Sequence, residues 1–360
     1  MMAGLMQQNA RRSSYWDNIK GILIFLVVVA HFAMPYAALQ DVVRGAYLFH
    51  MPAFLFVSGY FSSRRSLQSQ KVLRLICIFL LFNIVLMIGR NGLEPAGWQW
   101  MAVHLSAWYL LALILYRFTI PFLEKAGIYK VLLFSLVLGL CVGQISPKDS
   151  FCLYKIIPLY PFFLMGYIWK TRKRIALCTP LFRRPCQLMV GVCFLLLILL
   201  SLSFMGCGWI SANQIWWQPY LSSKEVISRC WLYFVGVSGT AALLLISPKR
   251  TIPVVTQWGR NSLIIYVVHR PLVQLSSRVA RPEYWGSIEM LCPLFLCMAV
   301  LTICVLPGFA NGVNRFFDLM VNIIIQRKYV RVFYGCCFLL LALSFADLLE
   351  RSVLRLVNLF

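Results

Sequence analysis

Three of the four histidines in this 360-residue sequence lie within long apolar stretches, where ionisable groups are costly and by default mark function. His31 follows the run Ile22-Leu23-Ile24-Phe25-Leu26-Val27-Val28-Val29-Ala30, His50 opens Phe49-His50-Met51-Pro52, and His269 closes Tyr266-Val267-Val268-His269. Lipid offers no water to satisfy ring nitrogens, so histidines at such positions point to a polar cavity. An imidazole, with an ordinary pKa of about 6.5, can take a proton near neutral pH, which is the work of a general base on a hydroxyl group. Lys20 precedes His31 by eleven residues. At about 100° per residue this is ~20° from three full turns, so both lie on one helix face, about 16 Å apart along the axis. Lys20 could equally be an interfacial anchor that snorkels to the surface.

Other residues join this set. His31 lies about seven residues before the turn that leads to the second helix and His50 about five after it, which matches their depths in an antiparallel hairpin. Asp41, between them, could fix an imidazole tautomer or simply be solvated. Pro52 frees a backbone carbonyl for a polar cavity. Arg64, Arg65, Lys71 and Arg74 cluster after the second helix and could hold phosphates of a soluble donor, arginine bidentately, although topology accounts for much of the cluster. Trp108 opens the fourth span and Arg229 lies in the eighth, either of them an interfacial residue or a cavity wall. His104 sits at the edge of the fourth span with no evident task. The 13 cysteines lie mostly in apolar runs without CxxC spacing, so no metal site is expected and they read as packing residues.

The elements that must position these groups are membrane helices. Hydrophobic residues make up 61% of the chain and charged ones 12%, which excludes an ordinary soluble domain. Apolar runs place spans near 19–38, 45–61, 75–89, 105–120, 131–146, 155–169, 187–206, 226–246, 260–276, 290–307 and 332–349. This predicts an all-α, polytopic integral membrane bundle with a ten-helix core. The eleventh stretch could be a further span or an interfacial segment. No cleavable signal pattern is visible, so the first helix is expected to persist. With the N-terminus cytoplasmic, the 34 Lys and Arg residues divide into 23 inside and 11 outside, the 170–186 loop contributing most. The formal net charge of +23 is therefore topological, and a nucleic-acid partner is not expected.

Taken together, Asp17-Asn18-Ile19-Lys20-Gly21 with His31, His50-Met51-Pro52 with Phe56-Val57-Ser58-Gly59-Tyr60, Trp108-Tyr109-Leu110-Leu111, and Asn261-Ser262-Leu263 with His269 resemble the acyltransferase 3 family of membrane O-acyltransferases, most closely its fucose 4-O-acetylase branch. The resemblance runs from about Tyr15 to Pro307. Lys20 and His31 match the family's basic-x10-His motif, and Lys71 and Arg74 loosely match its basic-x2-basic motif. It implies a cytoplasmic tail over 1–14, an acyltransferase domain over 15–310 and a C-terminal extension over 311–360. It further implies acetyl-CoA as a co-substrate rather than a bound cofactor, a sugar hydroxyl of a surface glycan or its lipid-linked precursor as acceptor, and residence in a bacterial cytoplasmic membrane.

Residues and resemblance converge on one scheme. Lys71, Arg74, Arg64 and Arg65 take the phosphates of acyl-CoA. His31 is the base, Lys20 stands on its stripe, and His50 or His269 donates to the thioester oxyanion. Asp17, Asp41, Trp108, Arg229 and His269 form the acceptor side. Direct transfer and an acetyl-histidine intermediate both remain open. The rival expectation is a transporter or flippase that uses the same buried groups without acyl chemistry, although no inverted repeat is visible.

Overall fold

The computed structural model describes residues 13–63, 70–92, 102–145, 152–172, 184–208, 223–279 and 291–326, and among them it is helical with no strand. The helices are α1 (Ser14–Ala33), α2 (Gln40–Phe61), α3 (Gln70–Asn91), α4 (Trp108–Ala126), α5 (Ile128–Ile145), α6 (Leu153–Arg172), α7 (Arg184–Gly206), α8 (Ser223–Ile246), α9 (Pro253–Arg260), α10 (Ser262–Val279), α11 (Leu291–Val305) and α12 (Pro307–Gln326). Apolar residues predominate in the longer of these segments, such as α1, α3, α7 and α11, and in lipid such segments become helical because the backbone must satisfy its own polar groups. Breaks fall where the side chains demand them. Gly127, with φ 81°, ends α4 in a conformation that costs a Cβ-bearing residue.

α1 is the central helix. Ile19, Leu23, Ile24, Val27 and Val28 are all buried, and α2, α9, α10 and α11 pack around it. α2 also lies along α6, where small residues bring the backbones together: a Cβ on Gly59 would strike the Phe163 carbonyl, and one on Gly166 the Phe56 carbonyl. At the start of α1 the short helix α9, with proline in its first turn, closes on Asp17-Asn18. Asn18 Nδ2 donates to the carbonyls of Pro248 (2.9 Å) and Arg250 (2.8 Å), and its Oδ1 accepts from Thr256 Oγ1 at 2.6 Å. α7 is the outer contrast. Leu188, Met189, Val192, Leu195, Leu196 and Leu199 are exposed along it, a face that lipid would cover.

Five helices among the described residues are long and apolar enough to cross a membrane, beginning with Ser14–Ala33 and Ala37–Phe61; the pair α11 and α12, bent by 67°, makes a sixth if it is one broken span. The ten or eleven expected spans are thus only partly matched. α4 and α5 are apolar over shorter lengths, α6 carries Lys155, Lys170 and Arg172, and α10 carries Arg270 and Arg278, so these helices miss the full length or apolarity. The expected eleventh stretch, 332–349, lies outside the described residues.

Candidate active site

Two cavities open beside α10. The first, of about 140 Å³, is lined by His31, Tyr47, His50, Trp108, Tyr266 and Arg270, with Lys155 also on its wall. The second, of about 280 Å³, is lined by Lys71, Arg74, Arg117, Arg260, Asn261 and Asn314 among others. Both are lined in part by α10, whose consecutive residues Tyr266 and Val267 line the first and the second. A helix turning about 100° per residue can thus serve both with one strip of sequence.

The histidine cavity has an internal order set by two helix carbonyls. His269 Nδ1 lies 3.1 Å from the Ile265 carbonyl four residues earlier. A carbonyl only accepts, so this Nδ1 carries the proton and, in the neutral ring, Nε2 is an acceptor. His31 Nδ1 lies 2.9 Å from that Nε2 and therefore donates to it, with the two rings nearly parallel at 13° and 5.1 Å between centroids. The proton of neutral His31 is then fixed on Nδ1, and its Nε2 holds a lone pair. Of the two rings, His269 is fully buried while His31 is partly open to the cavity. A hydrogen-bonded acceptor behind the imidazole is what orients a general base.

His50 is placed by the same device. Its Nδ1 donates to the Ala46 carbonyl at 2.6 Å, which leaves Nε2 an acceptor in the neutral ring. The Tyr47 ring stands between the two histidines of the hairpin, 6.2 Å from His31 and 4.9 Å from His50 by centroids. The N–H groups of both His50 and His269 are committed to helix carbonyls, so neither neutral ring offers a proton to an oxyanion. Trp108 lines the cavity, and the neighbouring Tyr109 hydroxyl bonds Ser58 at 3.0 Å. Tyr266 donates to the Ser106 carbonyl, holding α10 to the segment before α4.

Other candidates are placed elsewhere. Lys20 Nζ pairs with Asp17 at 2.7 Å and stands 5.4 Å over the Phe61 ring; the second oxygen of Asp17 is 3.5 Å from Arg260 Nε. Asp17 and Lys20 therefore form a buried charge lock at the start of α1, at a distance from the histidines. Asp41 is exposed and pairs with Arg44 at 3.0 Å, so the solvated alternative describes it. Arg229 is buried on α8 and outside the lining of both cavities. Lys71 and Arg74 line the basic cavity, where Arg74 donates to Asn314 at 2.7 Å and pairs with Asp318 at 3.2 Å, both on α12. Arg64 and Arg65 lie outside the described residues. Arg117, Arg260, Arg270, Lys155 and Tyr47 were missed from the sequence as site residues, although the rule that intramembrane charges mark function applies to Arg270 as it does to His269.

Comparisons with known proteins place the chain in a family. The acyltransferase domain of the acyltransferase 3 family matches residues 13–309. The chain belongs to the acyltransferase 3 family. It is a membrane protein, as the members of this family are. It is also similar to nodulation protein NolL of Sinorhizobium fredii (strain NBRC 101917 / NGR234), 22% identical over 313 residues that cover 77% of this chain and 82% of the relative. No solved structure matches it. Membership in the acyltransferase 3 family supports acyltransferase activity, and this relative does not single out the fucose acetylase branch.

Proposed function

We propose that this protein is a membrane O-acyltransferase that moves an acyl group, in the first place acetyl, from acyl-CoA at the basic cavity to a sugar hydroxyl at the histidine cavity. The observation that carries this reading is the chain from the Ile265 carbonyl through His269 to His31, which leaves a lone pair on Nε2 of His31, a residue that lines the cavity. In the reaction, Nε2 accepts the proton of the sugar hydroxyl as its oxygen attacks the thioester carbonyl. The carbon–sulfur bond then breaks, and the thiolate of CoA recovers the proton from His31. Partial transfer of that proton contributes about 10²- to 10⁴-fold in rate. His269 accepts from Nδ1 throughout and so holds the ring while it is charged.

The donor site rests on charge and on topology. All four cations on the basic cavity, Lys71, Arg74, Arg117 and Arg260, belong to the set that the loop-charge partition places in the cytoplasm, and both cations on the histidine cavity, Lys155 and Arg270, belong to the outer set. Arg117 has a buried Nε without a hydrogen-bond partner among the described residues, as expected of a group that awaits an anion. Cytoplasmic CoA phosphates and an acceptor arriving from the other side fit this division. The test is transfer of radiolabelled acetyl from acetyl-CoA by purified protein in lipid nanodiscs, with surface glycan or lipid-linked sugar as acceptor. Labelled product with the wild type and none with His31→Ala is the expected result; absence of CoA-dependent product with any acceptor would defeat the reading.

A further inference from the structure

The histidine cavity contains a charge that acid–base chemistry leaves unused. Arg270 follows His269 on α10 and lines the cavity with His31, His50 and Tyr47. Its Nε is buried without a hydrogen-bond partner, and it makes no ion pair among the described residues. The three carboxylates whose side chains are described are all engaged elsewhere: Asp17 with Lys20 and Arg260, Asp41 with Arg44, and Asp318 with Arg74. Among the described residues the cavity lining contains Lys155 and Arg270 but no Asp or Glu. A guanidinium stays charged at any physiological pH, and keeping one in a partly desolvated site with no carboxylate partner among the described residues is costly. Such a residue is retained where a ligand supplies the missing anion, and its planar fork suits a carboxylate or a phosphate.

We infer that Arg270 is a binding residue for an anionic group on the acceptor, so that the sugar carries a carboxylate or a phosphate within a few bonds of the hydroxyl that reacts. This rests on the transferase reading and sharpens it by naming the class of acceptor. A transition-state oxyanion is a weaker account of the same charge. It exists only fleetingly, whereas an anion present in the ground state compensates Arg270 for as long as the acceptor is bound. The cavity, at about 140 Å³, suits the end of an acceptor, and Arg270 on its wall places the anion close to the sugar that enters it.

The experiment measures binding without donor, which separates it from the transferase reading. Full-length protein in nanodiscs made of zwitterionic lipid is dialysed against radiolabelled galactose, galacturonate and galactose 1-phosphate, using wild type, Arg270→Gln, Arg270→Lys and His31→Ala. The expected result is that wild type and His31→Ala bind at least one anionic sugar tenfold or more tighter than galactose, that Arg270→Gln loses this preference, and that Arg270→Lys keeps part of it. The stronger of the two anionic sugars tells whether the group is a carboxylate or a phosphate. Equal binding of charged and neutral sugars by the wild type would overturn the proposal, as would a preference that survives in Arg270→Gln. Should anionic sugars bind as expected while no acyl transfer is found, the site stands and the transferase reading falls.

Discussion

His31 donates its Nδ1 proton to Nε2 of His269 across 2.9 Å, joining two residues 238 positions apart in the chain. The bond gives a direction to a site whose two rings could otherwise each adopt either tautomer. It also gives His269 a task in positioning, because His269 holds the imidazole without touching the substrate itself. Replacing His31 with alanine should lower kcat by at least about a hundredfold with normal yield of folded, inserted protein. His269→Leu removes the acceptor and frees the ring, so kcat should fall tenfold or more with a smaller change in either KM. His269→Gln, whose carbonyl can accept from Nδ1, should recover part of the loss. Near wild-type turnover in His31→Ala would remove His31 as the base.

Much of this arrangement was legible in the sequence, and the limits have physical causes. Lys20, His31, His50 and His269 stood out because charges and imidazoles in apolar runs are expensive. Helical periodicity placed Lys20 and His31 on one face, and the i,i+3 spacing of Asp17 and Lys20 was equally legible, although Asp17 was read as an acceptor residue rather than as the partner of Lys20. The partnership of His31 with His269 rather than His50 depends on how α10 packs on α1, a contact between distant segments that no local pattern encodes. Arg270 entered the sequence reading only as one of the 34 basic residues divided between the two faces, although its neighbour His269 was read as a site residue. The turn between α11 and α12 was also hidden, since α12 carries Asn314, Arg315 and Asp318 among apolar residues and reads as mixed sequence until Arg74 is seen to grip it.

Loss of charge in the basic cavity should act on the donor. Arg117→Gln or Lys71→Gln is expected to raise KM for acetyl-CoA by roughly tenfold or more, in keeping with about 1 to 3 kcal/mol for a charge-assisted bond, and to move the acceptor KM little. Arg74 differs because Asn314 and Asp318 already hold it, so Asp318→Asn should also shift the donor KM while sparing the acceptor. Steady-state kinetics with each substrate varied in turn makes the measurement. Equal effects on both substrates would return these residues to a topological role.

Asn18 tests whether the start of α1 is structural. It is fully buried and satisfies the carbonyls of Pro248 and Arg250 as well as the hydroxyl of Thr256. Asn18→Leu leaves those three groups without their partner, at a cost on the order of 1 to 3 kcal/mol for each buried group left unsatisfied. The variant should melt at a lower temperature in detergent, and its residual folded fraction should show wild-type KM values. Unchanged stability would mean that water replaces the side chain there.

Orientation can be read from cysteine labelling. In a variant stripped of other thiols, Cys178 in the strongly basic 170–186 loop should react with an impermeant maleimide only from the cytoplasmic side, and Asn213→Cys only from the opposite side. Reversed labelling would place the basic cavity away from cytoplasmic CoA and undo the assignment of the donor site.

The last expectation joins the tautomer to the pH dependence of turnover. His31 works only while Nε2 holds a lone pair, so a proton taken from solvent at that atom removes the base. The sign follows directly: kcat/KM for the acceptor should fall as pH is lowered, and the fall should follow the protonation of one group if His31 alone is responsible. His269 enters the same profile because its Nε2 must stay unprotonated to accept from His31. Protonating it would turn the hydrogen bond into a clash of two donors. His269→Gln has no such group, and its profile should keep the His31 limb with a shifted midpoint. In His31→Ala the acid limb should vanish from whatever residual rate is left. Nitrogen-15 NMR of selectively labelled histidine gives an independent reading, with His31 protonated at Nδ1 and bare at Nε2 near neutral pH. A spectrum showing the proton on Nε2 would break the chain from Ile265 to His31, and a residual rate in His31→Ala with the acid limb intact would assign that limb to another group.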